Sequence, residues 1–293
     1  MSDMKYKVIG NKRAELGESP FWDEQNGVLY WLDILSGKIF DLDPITGQEN
    51  EITVGKPIGC AALREKGGFV AALEDGFYFI THSEAKWNAE IFEYIENKPG
   101  DRFNDGKCDP AGRFWAGTMS KGDKGKAALY VMDINRTVRK AVDGVTVSNG
   151  LTWSLDSKIM YYTDTVTSEV WAFDYDLANG RLANKRTAIR VPDGMGLPDG
   201  MTIDAEGMLW VALWGGYCVS RWDPDTGSLL CKIDLPVPHT SSCAFGGRNM
   251  DELYITSARE GLDEAQLRAQ PLSGALFMVK PGVSGVPMFR YKG

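Results

Sequence analysis

Histidine is nearly missing. The 293-residue chain contains two, His82 and His239. That discards a metal site built from two or three histidines and leaves a Ser-His-Asp triad only these two to draw on. Neither stands in a nucleophile motif and no G-x-S-x-G occurs, so each reads as a loop or surface residue. Long apolar runs are missing too. No stretch approaches the roughly 18 continuous apolar residues of a membrane span, and the opening "MSDMKYKVIGNKRAELGESP" lacks the apolar segment of a secretory signal. Positive charge is short, with 32 Lys and Arg against 40 Asp and Glu, a net −8. The densest basic cluster, "KGDKGK" at 121–126, is diluted by Gly and Asp and reads as a solvated loop. The balance argues against nucleic acid as a partner, because phosphate backbones need clustered Lys and Arg. The five cysteines, Cys60, Cys108, Cys218, Cys231 and Cys243, are odd in number and form no C-x-x-C pair. Reduced, mostly buried thiols in a cytoplasmic protein are expected.

What the chain does have is a repeat. A Gly- or Pro-containing turn, a short apolar segment, a polar turn and an aromatic-rich run recur as "ESPFWDEQNGVLYWLDI", "PIGCAALREKGGFVAAL", "NDGKCDPAGRFWAGTM", "SNGLTWSLDSKIMYYTD", "PDGMTIDAEGMLWVALW" and "SSCAFGGRNMDELYITSA". With Tyr30, Phe69, Trp115, Tyr161, Trp210 and Tyr254 as anchors, the intervals are 39, 46, 46, 49 and 44. Six units of this length match four-stranded propeller blades. Short β-branched and aromatic runs such as "VLYWLDI" and "IMYYTDT" are strands, and endings such as "DPITGQ" and "DPDTGSL" are hairpin connections. Only "GLDEAQLRAQP" at 261–271 allows a short turn of helix. The expected fold is all-β, a six-bladed β-propeller with a central channel, occupying residues 1–293 as one domain. A closed ring must cover its last sheet edge, and "KYKVIG" at 5–10 is the strand available to complete the blade formed near the C-terminus.

The first strand of each blade lines the channel, so equivalent positions form a ring. Those positions are Glu18, Ile58, Asn104 or Asp105, Asn149, Asp199, and Ser241 or Ser242. Asp-Gly and Asn-Gly are also common turn signals, and each dipeptide alone reads as punctuation. Together, Glu18, Asn149 and Asp199 make an oxygen-only cluster with Asn104 and Asp105 close by. Converging carboxylates repel, and a hard divalent cation relieves that cost. Three protein ligands leave positions open for water and substrate.

"GESPFWD", "RFNDGKCDPAGRFWAGTM", "SNGLTWSLDSK", "LPDGMTIDAEGMLWVALWGG", "SSCAFGG" and "QPLSGALF" resemble the SMP-30/regucalcin/gluconolactonase family, over essentially the whole chain from Leu16 to about Gly282. "ALWGG" looks more like its bacterial sugar lactonases than its animal members. The resemblance implies a six-bladed propeller that holds one divalent cation and hydrolyses sugar-acid lactones such as xylono-, arabinono-, galactono- or gluconolactone. It places the metal ligands on Glu18, Asn149 and Asp199, and substrate contacts on Arg102 and Asn104, with Asp105 behind them. Asp199 is the candidate general base, with a water ionised by the cation as the alternative. The cation is Ca, Zn, Mg, Mn or Fe(II), since an all-oxygen set admits each. The partner is a small-molecule lactone, with no nucleic acid and no membrane, and the oligomeric state is open, a monomer being compatible.

Trp214 could pack on a sugar face or belong to the core. One departure stands out. Animal-type members carry acidic residues shortly after "AGTM", where this chain reads Ser120, Lys121, Gly122 and Asp123, so the substrate cannot be copied from them. Two rival readings remain: a non-catalytic calcium-binding or regulatory propeller of the regucalcin type, and another hydrolase on this scaffold. The latter relatives tend to use channel histidines, which the two present here fit less well.

Overall fold

The computed structural model describes residues 5–84 and 86–293. These residues form six four-stranded antiparallel sheets arranged as the blades of a propeller. The innermost strands, in blade order, are Gly17–Asp23, Ile58–Leu63, Arg102–Cys108, Ser148–Trp153, Leu197–Ile203 and Thr240–Gly246. Each touches the next, and the sixth touches the first. All six sequence anchors fall on the second strand of their blade, where Tyr30 pairs Phe21 and Trp210 pairs Thr202 in register. Ring closure uses the N-terminal strand: Lys7–Ile9 pairs with Leu276–Val279 as the outermost strand of the sixth blade.

Packing lies between blades, because each sheet is apolar on both faces. Phe21, Leu32 and Ile39 of the first blade interdigitate with Ile58, Phe69 and Tyr78 of the second, and equivalent clusters fill the later interfaces. The turn after the innermost strand is tied down by a recurring latch. In "DPAGRFW", Asp109 Oδ1 accepts from the backbone N–H groups of Ala111 and Arg113, while Oδ2 accepts from Trp115 Nε1. In "DAEGMLW", Asp204 does the same with Glu206, Met208 and Trp210. A second-strand Trp six residues on is thereby locked to its own turn.

A segment beyond the last strand crosses the face where the innermost strands end. Gly285 bridges to Asp204, Arg290 donates to Asp23, and Tyr291 bridges to Arg64. The tail thus touches the fifth, first and second blades. The 261–271 stretch contains the α-helix Glu264–Ala269, begun by an Asp263–Gln266 capping box. No helix among the described residues is long and apolar enough to cross a membrane.

Candidate metal centre

The ring of polar residues is built by β-bulges. Pairing between first and second strands slips at the same height in every blade: between Glu18 and Phe21, Ile58 and Cys60, Phe103 and Gly106, Ser148 and Leu151, Pro198 and Met201, and Thr240 and Ser242. A bulge leaves residues unpaired and re-aims their side chains. Asn104, Asp105, Asn149 and Asp199 all sit within these slips, and Glu18 is the last paired residue before its own, next to Ser19 at φ 44°. In the second blade the unpaired residue is Gly59, so the ring position belongs to Gly59 and not to Ile58, whose side chain is buried in the first interblade core. Glycine there has a steric cause, since a Cβ on Gly59 would overlap the backbone of Phe103 and Asn104.

The structure brings Glu18, Asp105 and Asp199 together, all buried. Burial, then the charges of Asp199 and Asp105, push the Glu18 carboxyl well above its ordinary range. Burial and the charge of Asp105 push Asp199 up likewise, against the Asn149 amide, the Gly200 N–H and Arg102. Asp105 is raised by burial and restrained by Lys107. Three carboxyls therefore share one desolvated space.

Asn149 completes the set in an informative way. Its Nδ2 donates to Thr165 Oγ1 at 3.0 Å, and Thr165 Oγ1 donates to the Pro198 carbonyl at 2.9 Å. That fixes the amide, and Asn149 Oδ1 is left buried with no protein partner. A buried acceptor without a donor is costly, and an acceptor beside two carboxylates fits a cation. Oxygen donors on three strands suit a hard divalent ion. No cluster of three or more His, Cys, Asp or Glu in metal-binding arrangement occurs among the described residues; the candidate donor set joins the Asn149 amide to the Glu18 and Asp199 carboxyls.

Arg102 stands beside this cluster. Its Nη1 donates to the Phe103 carbonyl and to Asn104 Oδ1 at 2.6 Å, and the charges of Glu260, Glu18 and Asp199 oppose the lowering that burial imposes on it. Asn104 Nδ2 donates to the Ser148 carbonyl. Asn104 is thus engaged in aiming Arg102. Trp214 lies half-buried against Leu16, Ile34 and Ala258, with one face stacked on His239 at 4.1 Å. His82 is exposed on a strand of the second blade. Ser120 is buried, whereas Lys121 and Asp123 are exposed and Asp123 pairs with Lys98. Sequence reasoning missed Thr165, Ser19 and Lys107. Lys107 was visible within "NDGK", but nothing in its spacing distinguishes a half-buried lysine from a solvated one.

Residues 16–259 match the family described as SMP-30/Gluconolactonase/LRE-like region. The chain is 41% identical to regucalcin of Homo sapiens over 301 aligned residues, covering all of both chains. It superposes on a luciferin-regenerating enzyme with a TM-score of 0.92 and 30% identity, covering 99% of this chain and 100% of that one. It superposes on a calcium-binding protein, regucalcin, from Agrobacterium tumefaciens with a TM-score of 0.93 and 27% identity, covering 99% and 98%.

Proposed function

The chain belongs to the SMP-30/gluconolactonase/LRE-like family, and from that membership we propose that it is a divalent-metal-dependent lactonase that opens sugar-acid lactones to aldonic acids. The observation that carries the reading is the orphaned Asn149 Oδ1 beside the buried Glu18 and Asp199 carboxyls, next to Arg102. Glu18, Asn149 and Asp199 would hold the cation. When bound, it supplies Lewis-acid polarisation of the lactone carbonyl and stabilises the negative charge that develops there.

The remaining work falls to the chain. Arg102, aimed by Asn104, uses its remaining N–H donors on the sugar hydroxyls. Asp199 takes the proton of the attacking water as its oxygen bonds to the lactone carbon. The ring C–O bond then breaks, and Asp199 returns that proton to the leaving hydroxyl.

The second reading is a calcium-binding propeller without turnover. It is favoured by the all-oxygen donor set and by the likeness to the Agrobacterium protein. One experiment separates the two: a pH-stat screen of xylono-, arabinono-, galactono- and gluconolactone on metal-stripped protein refilled with Ca, Zn, Mg, Mn or Fe(II). Chelator-sensitive acid release supports the lactonase. Tight calcium binding with no acid release from any lactone overturns it.

A further inference from the structure

The channel does not end at the carboxylates. Where the innermost strands of the third, fourth and fifth blades finish, a cavity of about 290 Å3 opens against the C-terminal tail. Its walls include Trp153, Leu155, Ile203, Val286 and Phe289, and Lys107 is the one charged residue lining it among the described residues. Glu18, Asn149, Asp199 and Arg102 take no part in this lining. A smaller cavity of about 100 Å3 reaches Lys107 from the side of Asp105 and Ser19. Lys107 keeps part of its surface accessible, and since it stands on an innermost strand, that surface faces these cavities.

The lysine has one direct partner among the described contacts. Its Nζ donates to the Met201 carbonyl at 2.8 Å, and no carboxylate lies within 4.0 Å of it among the described ion pairs. An ammonium has three N–H donors, so two remain for the chamber. Asp105 acts on it through space from the side of the smaller cavity and not in contact, so an anion in the chamber would meet N–H donors that no carboxylate occupies. One ammonium with no arginine beside it matches a monoanion better than a phosphate dianion. The apolar walls match a hydrocarbon body.

We propose that this chamber is a second ligand site that takes an amphipathic monocarboxylate, with its carboxylate on Lys107 Nζ and its apolar body against Trp153, Ile203 and Phe289. The site is separate from the lactone site and its test reads no turnover, so either proposal can fail alone.

The test is calorimetric titration of the metal-loaded protein with hexanoate, and with hexanamide as the neutral counterpart. A charge-assisted hydrogen bond predicts that hexanoate binds at least about tenfold more tightly. Lys107→Met should bring hexanoate to the level of hexanamide, while Asp199→Asn should leave its affinity within a few-fold. Leu155→Trp, at the exposed rim, should weaken both ligands and does not depend on the folding of a lysine variant. Equal binding of the two ligands, or no binding of either, overturns the proposal. So does hexanoate binding that survives Lys107→Met and is lost in Asp199→Asn, which would put the anion at the metal centre.

Discussion

Thr165→Val tests whether the metal centre is pre-set by the protein. Thr165 touches neither carboxylate, but its Oγ1 accepts from Asn149 Nδ2 at 3.0 Å and donates to the Pro198 carbonyl at 2.9 Å. Valine keeps the shape and removes both bonds. Asn149 Nδ2 then loses the partner that fixes the amide, and Oδ1 is no longer held toward the cation. Two neutral hydrogen bonds contribute about 0.5–1.5 kcal/mol each, and a stranded buried group costs about 1–3 kcal/mol. The variant should therefore lose about 1–3 kcal/mol of stability. Re-fixing the freed amide at about 1–2 kcal/mol weakens metal binding by about 5- to 30-fold. The assay is calorimetric metal titration of chelator-stripped protein, with circular dichroism to confirm the fold. Thr165→Ser, which restores the hydroxyl, should recover most of the affinity. Unchanged metal affinity in a folded Thr165→Val protein would refute the pre-set amide.

Four further outcomes follow from the same geometry. Asp199→Asn should keep the fold and remove most lactone turnover; full activity would strip Asp199 of the role of base. For pH, the Glu18 and Asp199 carboxyls lie well above their ordinary ranges in the metal-free fold. The fold therefore holds protons that the unfolded chain has released, and their contribution to stability falls as pH rises from the ordinary carboxylate range through the raised values. Melting curves of chelated wild type and Glu18→Gln should diverge with rising pH, the variant gaining, whereas a constant gap would show that Glu18 bears no such cost. Gly150→Ala puts a Cβ 2.5 Å from the Asp199 carbonyl oxygen and 2.7 Å from the Met201 nitrogen. Neither backbone atom can step aside cheaply, so a loss of about 1–3 kcal/mol and weaker metal uptake are expected, checked by urea denaturation and metal titration. Tyr291 is fully buried, with its hydroxyl on the Asp133 carbonyl. Tyr291→Ala should cost about 3–5 kcal/mol, and an unchanged melting temperature would mean that the tail lies loosely on the ring.

The blade count was legible because the aromatic anchors are themselves the interblade packing: a core residue that recurs at blade length can be read from spacing. The N-terminal closing strand was legible by the same logic, since a sixth blade one strand short needs Lys7–Ile9. The channel ring was legible only in part. "NDG", "SNG" and "PDG" mark it because Gly106, Gly150 and Gly200 stand where a Cβ would strike neighbouring strands. The second blade breaks the pattern by spending its whole bulge on Gly59, so alignment on apolar residues landed on Ile58. Thr165 was illegible for a different reason. It lies in the 3-10 turn Thr165–Thr167, outside the repeating strand pattern, and its role depends on an amide sixteen residues earlier in the chain. Lys107 was illegible because its half-buried place beside the tail exists only in the closed ring.

Charge accounting links these late-found residues to the chemistry. On the innermost strands alone, with every carboxyl ionised, Glu18, Asp105 and Asp199 carry three negative charges and Arg102 and Lys107 two positive ones, while Glu260 acts on Arg102 from outside those strands. Their sum is one negative charge, which attracts a divalent cation and leaves the loaded centre one charge positive. Under the proposed function, a neutral lactone would gain little from that surplus. The oxyanion formed as water adds would gain far more, inside a space where charges are weakly screened. Interactions that strengthen only as charge develops are those that accelerate a reaction. Lys107 then matters to the metal centre even at a distance. Replacing it with a neutral residue would leave the loaded centre uncharged overall, with tighter metal binding and a weaker hold on the developing charge. Under the proposed function, retention of the metal and stabilisation of the transition state would pull in opposite directions, with the two half-buried cations of "RFNDGK" setting the balance.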